Sequence, residues 1–310
     1  MICVQSYCVN EVAGYINWLY FFHAWHFPSH YGRIVLNMGP NTDSSKWLLQ
    51  FPAHEQQKAK EAFDLWKDAL VMLKEWDEAS LHTHFKVGLF AACSMDDNVW
   101  LPEEQVMIPF LRQQHNKDGK PCYCWADFVR PQTTTGENDT IGVFAATVDK
   151  EMEEWGEGDE YKHLLAQTLA DRLAEATAEL GHLNVRRRIW GYAPHEEFTA
   201  PQLFASQYQG CRPAVGYPSL PDQSLIFLLA SLIDYNSMGI SLTENGAMIP
   251  HASTTGLMFA HPAAHYFDVG TIGEDQLQDY AMRRGMPADE LRRFLSSSLR
   301  ATDSYLNNDK

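Results

Sequence analysis

The residues with the clearest capacity to bind a ligand lie in one proline-rich segment, residues 210–221. This segment places Arg212, Gly216 and Tyr217 among three prolines. The prolines reduce the entropy that the segment loses on binding, and a guanidinium is a planar fork that matches a carboxylate. The glycine lets the backbone approach a ligand closely, and the tyrosine offers a ring face and a hydroxyl. The segment therefore predicts a rigid carboxylate-binding loop or, equally, a connector in which Arg212 caps backbone carbonyls.

Motifs for self-contained catalysis or nucleotide binding are absent from the sequence. It has no glycine-rich dinucleotide or phosphate loop, no Gly-x-Ser-x-Gly elbow and no His-Glu-x-x-His motif. His82 and His84 stand just before a β-forming run, where we expect a solvated turn. Cys122 and Cys124 alternate on a predicted strand, where we expect buried structural cysteines more than a metal pair. The sequence thus indicates no acid–base, nucleophilic or metal centre of its own.

Bulk composition narrows the classes of partner. The 310 residues carry a net charge of −16, which argues against nucleic acid because phosphates need a positive surface. The longest strongly apolar run, Leu225–Ile233, has nine residues, whereas a membrane-spanning helix needs about twenty. Six scattered cysteines and no secretory signal fit a reducing cytoplasm. We expect a cytoplasmic protein without membrane or nucleic-acid partners, whose arginine clusters are helix ends or a local docking patch.

Hydrophobic periodicity predicts an α+β fold with a mostly antiparallel sheet flanked by helices. Helical spacing and capping residues predict helices over Asn10–Phe27, Glu55–Ala79, Tyr161–Leu180 (with Gly181 as C-cap), from Thr199 to near Gly210, from Asp222 through Asp234, and over Gly273–Arg284 and Pro287–Leu299. β-Rich runs predict strands over Phe85–Cys93, Pro121–Val129, Thr140–Val148, Leu257–His261 and Tyr266–Val269. Because the strands cluster and do not alternate regularly with helices, a doubly wound fold is disfavoured.

Eight short motifs, spread between residues 15 and 281, occur in the same order as in one known family. They are Tyr15-Ile16-Asn17-Trp18, Val87-Gly88-Leu89-Phe90, Ala126-Asp127-Phe128-Val129, Leu169-Ala170-Asp171-Arg172-Leu173-Ala174-Glu175, Trp190-Gly191-Tyr192-Ala193-Pro194, Arg212-Pro213-Ala214-Val215-Gly216-Tyr217-Pro218, Leu242-Thr243-Glu244 and Asp275-Gln276-Leu277-Gln278-Asp279-Tyr280-Ala281. On these motifs the chain resembles the S-adenosylmethionine-binding reactivation (activation) domain of cobalamin-dependent methionine synthase.

The resemblance implies a role in methionine biosynthesis. Domains of this family bind S-adenosylmethionine and present its methyl group to a cobalamin held by a neighbouring domain, while flavodoxin or a related reductase supplies an electron. The chain would then be a methyltransferase module of 5-methyltetrahydrofolate–homocysteine methyltransferase that works by placing its ligand. The expected organisation is a single reactivation domain over 1–310, helical over 10–80 and mixed α+β beyond. It would be a C-terminal module of a longer synthase or separately encoded.

The resemblance also assigns ligand contacts, and it implies no catalytic residue and no metal ligand. Arg212 matches an arginine for the methionine carboxylate, and Glu175 matches an acid near the ligand that could equally lie on a solvated helix face. The other matched positions are Ala214, Gly216, Tyr217, Tyr266, Phe267 and Asn17.

Two departures from the family pattern bear on the function. Asn17 stands where the family usually has an aspartate, and this loss of charge predicts weaker but not abolished binding. After Pro221 the chain has Asp222-Gln223-Ser224-Leu225-Ile226 in place of an acid and a His-Thr-Glu-Lys run, which affects the cobalamin-facing side. Both departures favour the alternative that the chain is a degenerate, non-catalytic docking or binding module of the same fold.

Overall fold

The computed structural model describes residues 1–36, 38–39, 41–115, 119, 121–132, 136–295 and 298–299. Within these ranges the helices are α1 (Val9–Ala13), α2 (Trp18–Ala24), α3 (His30–Val35), α4 (Ser44–Leu48), α5 (Gln56–Glu78), α6 (Lys150–Glu154), α7 (Glu160–Asn184), α8 (Ala200–Phe204), α9 (Leu225–Ile233), α10 (Glu274–Arg284) and α11 (Ala288–Phe294). The strands are β1 (Ile2–Cys8), β2 (His82–Met95), β3 (Asn98–Leu101), β4 (Val106–Pro109), β5 (Asp139–Val148), β6 (Ser241–Leu242), β7 (Met248–Ile249) and β8 (Ser253–Met258). Short 3₁₀ helices cover Ala53–Glu55, Trp125–Phe128 and Tyr235–Met238, and a π-helix covers Val185–Ile189.

A six-stranded sheet forms the centre of the fold, in the order β4-β3-β2-β5-β8 with β1 beside β2. The long strand β2 pairs with β1 on one side and β5 on the other, and its last residues pair with β3. Strands β6 and β7 form a separate pair. Every pairing between these named strands is antiparallel. The predicted α+β fold with a mostly antiparallel sheet is confirmed.

Both faces of the sheet are covered, because apolar residues of β5 point alternately to two separate cores. Phe144 and Ala146 lie in a first core with the aromatic residues of α2 and α5 and the apolar face of α7. Val143 and Ala145 lie in a second core with α9, α10 and α11. A strand buried on both sides reads as a nearly continuous apolar run, as 141–148 does with Thr147 as its one polar side chain.

Helix α7 packs across the sheet and passes beyond its predicted end. Gly181 faces the ring of Phe85, and a Cβ at this position would lie 2.4 Å from a ring carbon. The glycine therefore permits close packing of helix on sheet. The prediction that Gly181 is a C-cap is wrong, since α7 continues to Asn184 and runs into the π-helix.

The predicted helix Asn10–Phe27 is wrong as one element. Residues 2–8 form the strand β1, and two short helices follow with a break at residues 14–17. Asn17 is the N-cap with which α2 begins, because its Oδ1 accepts a hydrogen bond from the backbone N of Leu19 at 3.2 Å. The long helix predicted over Glu55–Ala79 is confirmed by α5.

Two predicted strands are wrong. Residues 121–129 contain a 3₁₀ helix in place of a strand, and Asp127 accepts a hydrogen bond from the backbone N of Cys124 at 2.9 Å. Cys122 and Cys124 therefore do not share one face of a strand, although both are free thiols and Cys124 is buried. Tyr266–Val269 forms no strand either. In both stretches the aromatic and β-branched composition reflects burial of side chains in the second core.

His82 and His84 also lie elsewhere than predicted. Both belong to β2, whose cross-strand pairing begins at His82, so they do not lie in a solvated turn before the strand. His84 Nε2 and Asp149 Oδ1 lie 2.8 Å apart, and Asp149 also accepts from the backbone N of His82 at 2.7 Å.

The remaining predicted elements are present with shifted ends. The strand predicted over 257–261 is β8, which starts at Ser253, and the helix from Thr199 ends at Phe204. The helix predicted over 287–299 ends at Phe294 within the described residues. No helix in the described ranges is both long and apolar enough to cross a membrane.

Candidate functional site

A cleft of about 600 Å³ lies between α7, the segment 210–221 (hereafter the Arg212 loop), the break between α1 and α2, and residues 266–268. Its volume is in the range that small-molecule ligands occupy. Within the described part of the chain, no cluster of three or more His, Cys, Asp or Glu side chains is arranged to hold a metal ion. The cleft is therefore the strongest candidate for a ligand site.

One face of α7 supplies the charged wall of the cleft. Arg172, Glu175, Ala176 and Glu179 all line it. Their spacing of three, four and seven residues brings them to one side of a helix. The small Ala176 lies between the charged side chains and leaves room for a ligand. Alanines of the opposite face, Ala170 among them, are buried in the first core and fix this orientation.

The Arg212 loop is held against β8 like an additional short strand. Cys211 and Phe259 exchange two backbone hydrogen bonds of 2.9 Å, and Ala214 pairs with Gly256. A Cβ at Gly256 would lie 2.0 Å from the carbonyl oxygen of Pro213, so a residue with a side chain would push the loop away. The glycine is thus what allows the loop to approach the sheet.

The turn of the loop is fixed by its own glycine and by a buried tryptophan. Gly216 has φ +85°, a conformation that residues with a side chain rarely adopt, and a Cβ there would meet Gln223 Oε1 at 2.5 Å. Trp125 Nε1 donates a hydrogen bond to the carbonyl of Ser219 at 2.6 Å. The loop is therefore rigid because of these contacts as well as its prolines.

Arg212 and Glu179 form an ion pair at the cleft. Arg212 Nη2 and Glu179 Oε2 lie 3.2 Å apart, and each side chain is only 10% exposed. Burial has the largest single effect and lowers the pKa of the guanidinium, but the surrounding acidic groups, Glu179 first among them, together outweigh burial and the net shift is upward. The arginine is therefore permanently charged and shielded from water, a setting that strengthens its attraction for a carboxylate. Phe144 lies below it, with the guanidinium carbon 5.5 Å from the ring centroid.

Aromatic side chains form the other walls. The hydroxyl of Tyr266 accepts a hydrogen bond from the backbone N of Arg212 at 3.0 Å, and burial of this hydroxyl raises its pKa well above the ordinary value. The hydroxyl of Tyr217 donates to Glu175 Oε1 at 3.2 Å. The negative charge of Glu175, followed by burial, raises the pKa of Tyr217 to about 12. Both tyrosines are protonated near neutral pH and act as hydrogen-bonding groups.

The structure brings the residues singled out from the sequence to one place, with one exception. Seven of these residues line the cleft: Arg212, Ala214, Tyr217, Tyr266, Phe267, Asn17 and Glu175. Gly216 does not line it and instead makes the turn that orients Tyr217. Asn17 reaches the cleft while its Oδ1 caps α2, so this oxygen already has a partner.

Sequence reasoning missed several cleft residues. Arg172 and Glu179 could have been found from Glu175, because they lie three residues before it and four after it on one helix. Tyr15, Tyr20 and Tyr208 come from other segments, and no local pattern connects them with the Arg212 loop.

The arrangement suits an organic ligand that carries a carboxylate together with a positive charge. One buried guanidinium, in contact with Glu179, and the carboxylates of Glu179 and Glu175 line a cleft with aromatic walls. Fold and cleft together define a domain with a site suited to a charged small molecule between a helix and the edge of an antiparallel sheet.

The comparisons with known proteins identify the family. The chain belongs to the family described as the vitamin B12 dependent methionine synthase activation domain, whose model matches residues 8–285. It is similar to a solved structure described as the MetH reactivation domain bound to AdoHcy. The two share 34% sequence identity with a TM-score of 0.84, and the match covers 97% of this chain and 91% of that chain.

Proposed function

We propose that the cleft binds S-adenosylmethionine and that the domain supplies its methyl group for the reductive methylation of cob(II)alamin, which reactivates cobalamin-dependent methionine synthase. The observation that carries this proposal is the shielded Arg212–Glu179 pair at the cleft, because it presents a permanent positive charge to a ligand carboxylate. The similar solved structure, a 34% identical MetH reactivation domain bound to AdoHcy, supports a ligand of the S-adenosylmethionine type.

The residues present fit such a ligand. Arg212 would hold the methionine carboxylate, and Glu175 and Glu179 provide negative charge for the ammonium and sulfonium groups. The aromatic faces of Tyr266 and Phe267 provide apolar surface and favour nearby cationic groups. S-Adenosylmethionine supplies an already activated methyl group, so this chain needs to supply only binding and orientation.

The cobalamin and the electron would come from partners. The sequence contains no Asp-x-His-x-x-Gly motif, so a cobalamin-binding domain of the synthase would bring the cofactor to the cleft. Flavodoxin or a related reductase would supply the electron. Tyr217 is 54% exposed at the rim of the cleft, a position that suits contact with an approaching partner.

Calorimetric titration of the chain with S-adenosylmethionine tests the proposal. We expect saturable micromolar binding that Arg212→Ala weakens roughly 100-fold or more, since a shielded charge contact is lost. Because this change leaves the Glu179 carboxylate unpaired, the double variant Arg212→Ala/Glu179→Gln serves as the better-folded form and should bind equally poorly. Arg187→Ala, an exposed arginine outside the cleft, is the matched control and should bind like the wild type.

The alternative is a docking module that keeps the fold and no longer delivers a methyl group. The observation that favours it is Asn17, whose oxygen caps α2 where an acidic residue would carry a charge into the cleft. The same titration separates the two functions. Absence of saturable binding at millimolar ligand would reject the proposed function and leave the docking module.

A further inference from the structure

The π-helix Val185–Ile189 turns one arginine of an Arg-Arg-Arg run into the protein. Trp190 donates from its backbone N to the carbonyl of Val185 at 2.9 Å, which is the i to i+5 bond of a π-helix. Arg186 is fully buried, whereas Arg187 and Arg188 are exposed. π-Helical turns occur often at functional sites. The turn therefore gives Arg186 a different environment from its two neighbours.

Arg186 makes two kinds of contact. Its Nε donates to both carboxylate oxygens of Glu196, at 2.8 and 3.0 Å, and the Glu196 side chain is 6% exposed. Its guanidinium carbon lies 3.9 Å from the centroid of the Tyr208 ring. Among the described residues, neither Nη1 nor Nη2 of Arg186 has a hydrogen-bond acceptor. The outer half of this buried cation is thus stabilised by the tyrosine ring, a cation–π contact at stacking distance.

Tyr208 stands between Arg186 and the cleft. Its ring lines the cleft and is 8% exposed. His182 also meets this ring edge-on, with centroids 5.0 Å apart. Burial, together with the positive charges of Arg186 and Arg212, holds the pKa of His182 well below its ordinary value. The ring is therefore fixed from behind by one cation and one neutral imidazole.

We propose that Arg186 is a positioning residue for the ligand cleft, which holds the Tyr208 ring in place as a wall through its planar guanidinium. This inference rests on the proposed function, because its effect is measured as affinity for S-adenosylmethionine. The ion pair with Glu196 keeps Arg186 in place. The stacked guanidinium in turn restricts the orientation of the Tyr208 ring, which lines the cleft. Arg186 itself does not line the cleft.

Arg186→Lys tests the planar stack separately from the charge. Lysine keeps a positive charge for Glu196 but cannot stack as a planar fork. We expect S-adenosylmethionine to bind roughly 5- to 20-fold more weakly, which is less than the roughly 30-fold equivalent of a complete desolvated cation–π contact, because Arg186 acts on the ligand only through the ring. Arg187→Lys, one residue along and exposed, should leave the affinity unchanged. Thermal unfolding of each variant without ligand separates a loss of affinity from a loss of fold.

Variants of the ring show whether Arg186 acts through it. Tyr208→Leu removes the ring on which Arg186 stacks and should weaken binding. Adding Arg186→Lys to Tyr208→Leu should then cause no further loss. Wild-type affinity in Arg186→Lys, or a full additional loss in the double variant, overturns the positioning role while the proposed function stands.

Glu196→Asp keeps the inference testable if Arg186→Lys does not fold. Aspartate keeps the counter-charge for Arg186 but is one methylene shorter, so the guanidinium is held less firmly against the Tyr208 ring and we expect weaker binding than in the wild type. Wild-type affinity in a folded Glu196→Asp variant would overturn the inference. Absence of binding by the wild-type chain would instead reject the proposed function.

Discussion

The pairs Arg284–Asp222 and Arg212–Glu179 are both shielded from solvent, yet their hydrogen bonding differs. Asp222 accepts from the backbone N and hydroxyl of Ser224, from the Tyr280 hydroxyl at 2.9 Å and from Arg284 Nε at 3.1 Å. Arg284 Nη2 also donates to the Ser224 hydroxyl at 2.9 Å. Every oxygen of this carboxylate has partners, and the two side chains are 6% and 1% exposed.

The pair at the cleft is less complete. A single contact of 3.2 Å joins Arg212 to Glu179. Glu179 Oε1 and Arg212 Nε are buried without a hydrogen-bond partner among the described residues. Buried polar groups are nearly always paired, so incomplete pairing marks a place where binding can add bonds. The Arg284–Asp222 pair joins the residue that follows the Arg212 loop to α10, whereas the Arg212–Glu179 pair has unused hydrogen-bonding capacity for a ligand.

The largest expected effect is the loss of stability in Asp222→Asn. The change removes the counter-charge of the nearly buried Arg284 and misplaces an amide among donors, so we expect the free energy of unfolding to fall by about 3–5 kcal/mol. Urea denaturation measures it. Asp279→Asn is the control, because Asp279 is 59% exposed in its pair with Arg283 and should contribute less than about 1 kcal/mol. Equal losses in both variants would contradict a structural role for Asp222.

A smaller effect is expected for Glu179→Gln, the same chemical change at the cleft. Only one contact is broken there, so the free energy of unfolding should fall by about 1–3 kcal/mol. Urea denaturation of both variants under one set of conditions gives the difference between the two pairs directly. If Glu179→Gln costs as much as Asp222→Asn, the cleft pair is part of the scaffold and the comparison fails.

Sequence reasoning found the elements whose signals are local and strong. The periodicity of α5 and the apolar runs of β2 and β5 appear in any short window, and so do the prolines around Arg212. The edge strand β1 and the short helices α3 and α4 were not predicted, because five to seven residues carry too little periodicity. The break at Asn17 was also missed, since a cap residue inside an aromatic run resembles a continuing helix.

The cleft could be predicted only in part, because its geometry depends on contacts between distant residues. Gly256 has no neighbouring motif, yet it decides whether the Arg212 loop can approach β8. Tyr208 and Arg186 are 22 residues apart in the chain and meet where the π-helix buries Arg186. By contrast, Glu179 lies one turn beyond Glu175, so helical spacing could have revealed it although it was missed.

The smallest effect concerns the second carboxylate of the cleft, Glu175, which contacts an exposed tyrosine instead of a shielded arginine. The pKa of Tyr217 is raised to about 12 by the charge of Glu175 first and by burial second. Glu175→Gln should therefore lower the pKa of Tyr217 toward 10, the ordinary value for tyrosine. The ultraviolet absorbance of tyrosinate, measured against pH and corrected with Tyr217→Phe, gives this pKa.

The raised pKa of Tyr217 also sets the direction of a pH effect on stability. Between pH 10 and about 12 the folded protein retains a proton on Tyr217 that the unfolded chain has lost. The raised pKa of Tyr217 therefore contributes fully to the free energy of unfolding below pH 10, and this contribution is lost as the pH rises through about 12. In Tyr217→Phe the free energy of unfolding should fall less steeply across this window than in the wild type. Identical slopes would show that the Glu175–Tyr217 contact is too weak in solution to shift the pKa, and would leave Glu179 as the carboxylate of the cleft with a measurable electrostatic partner.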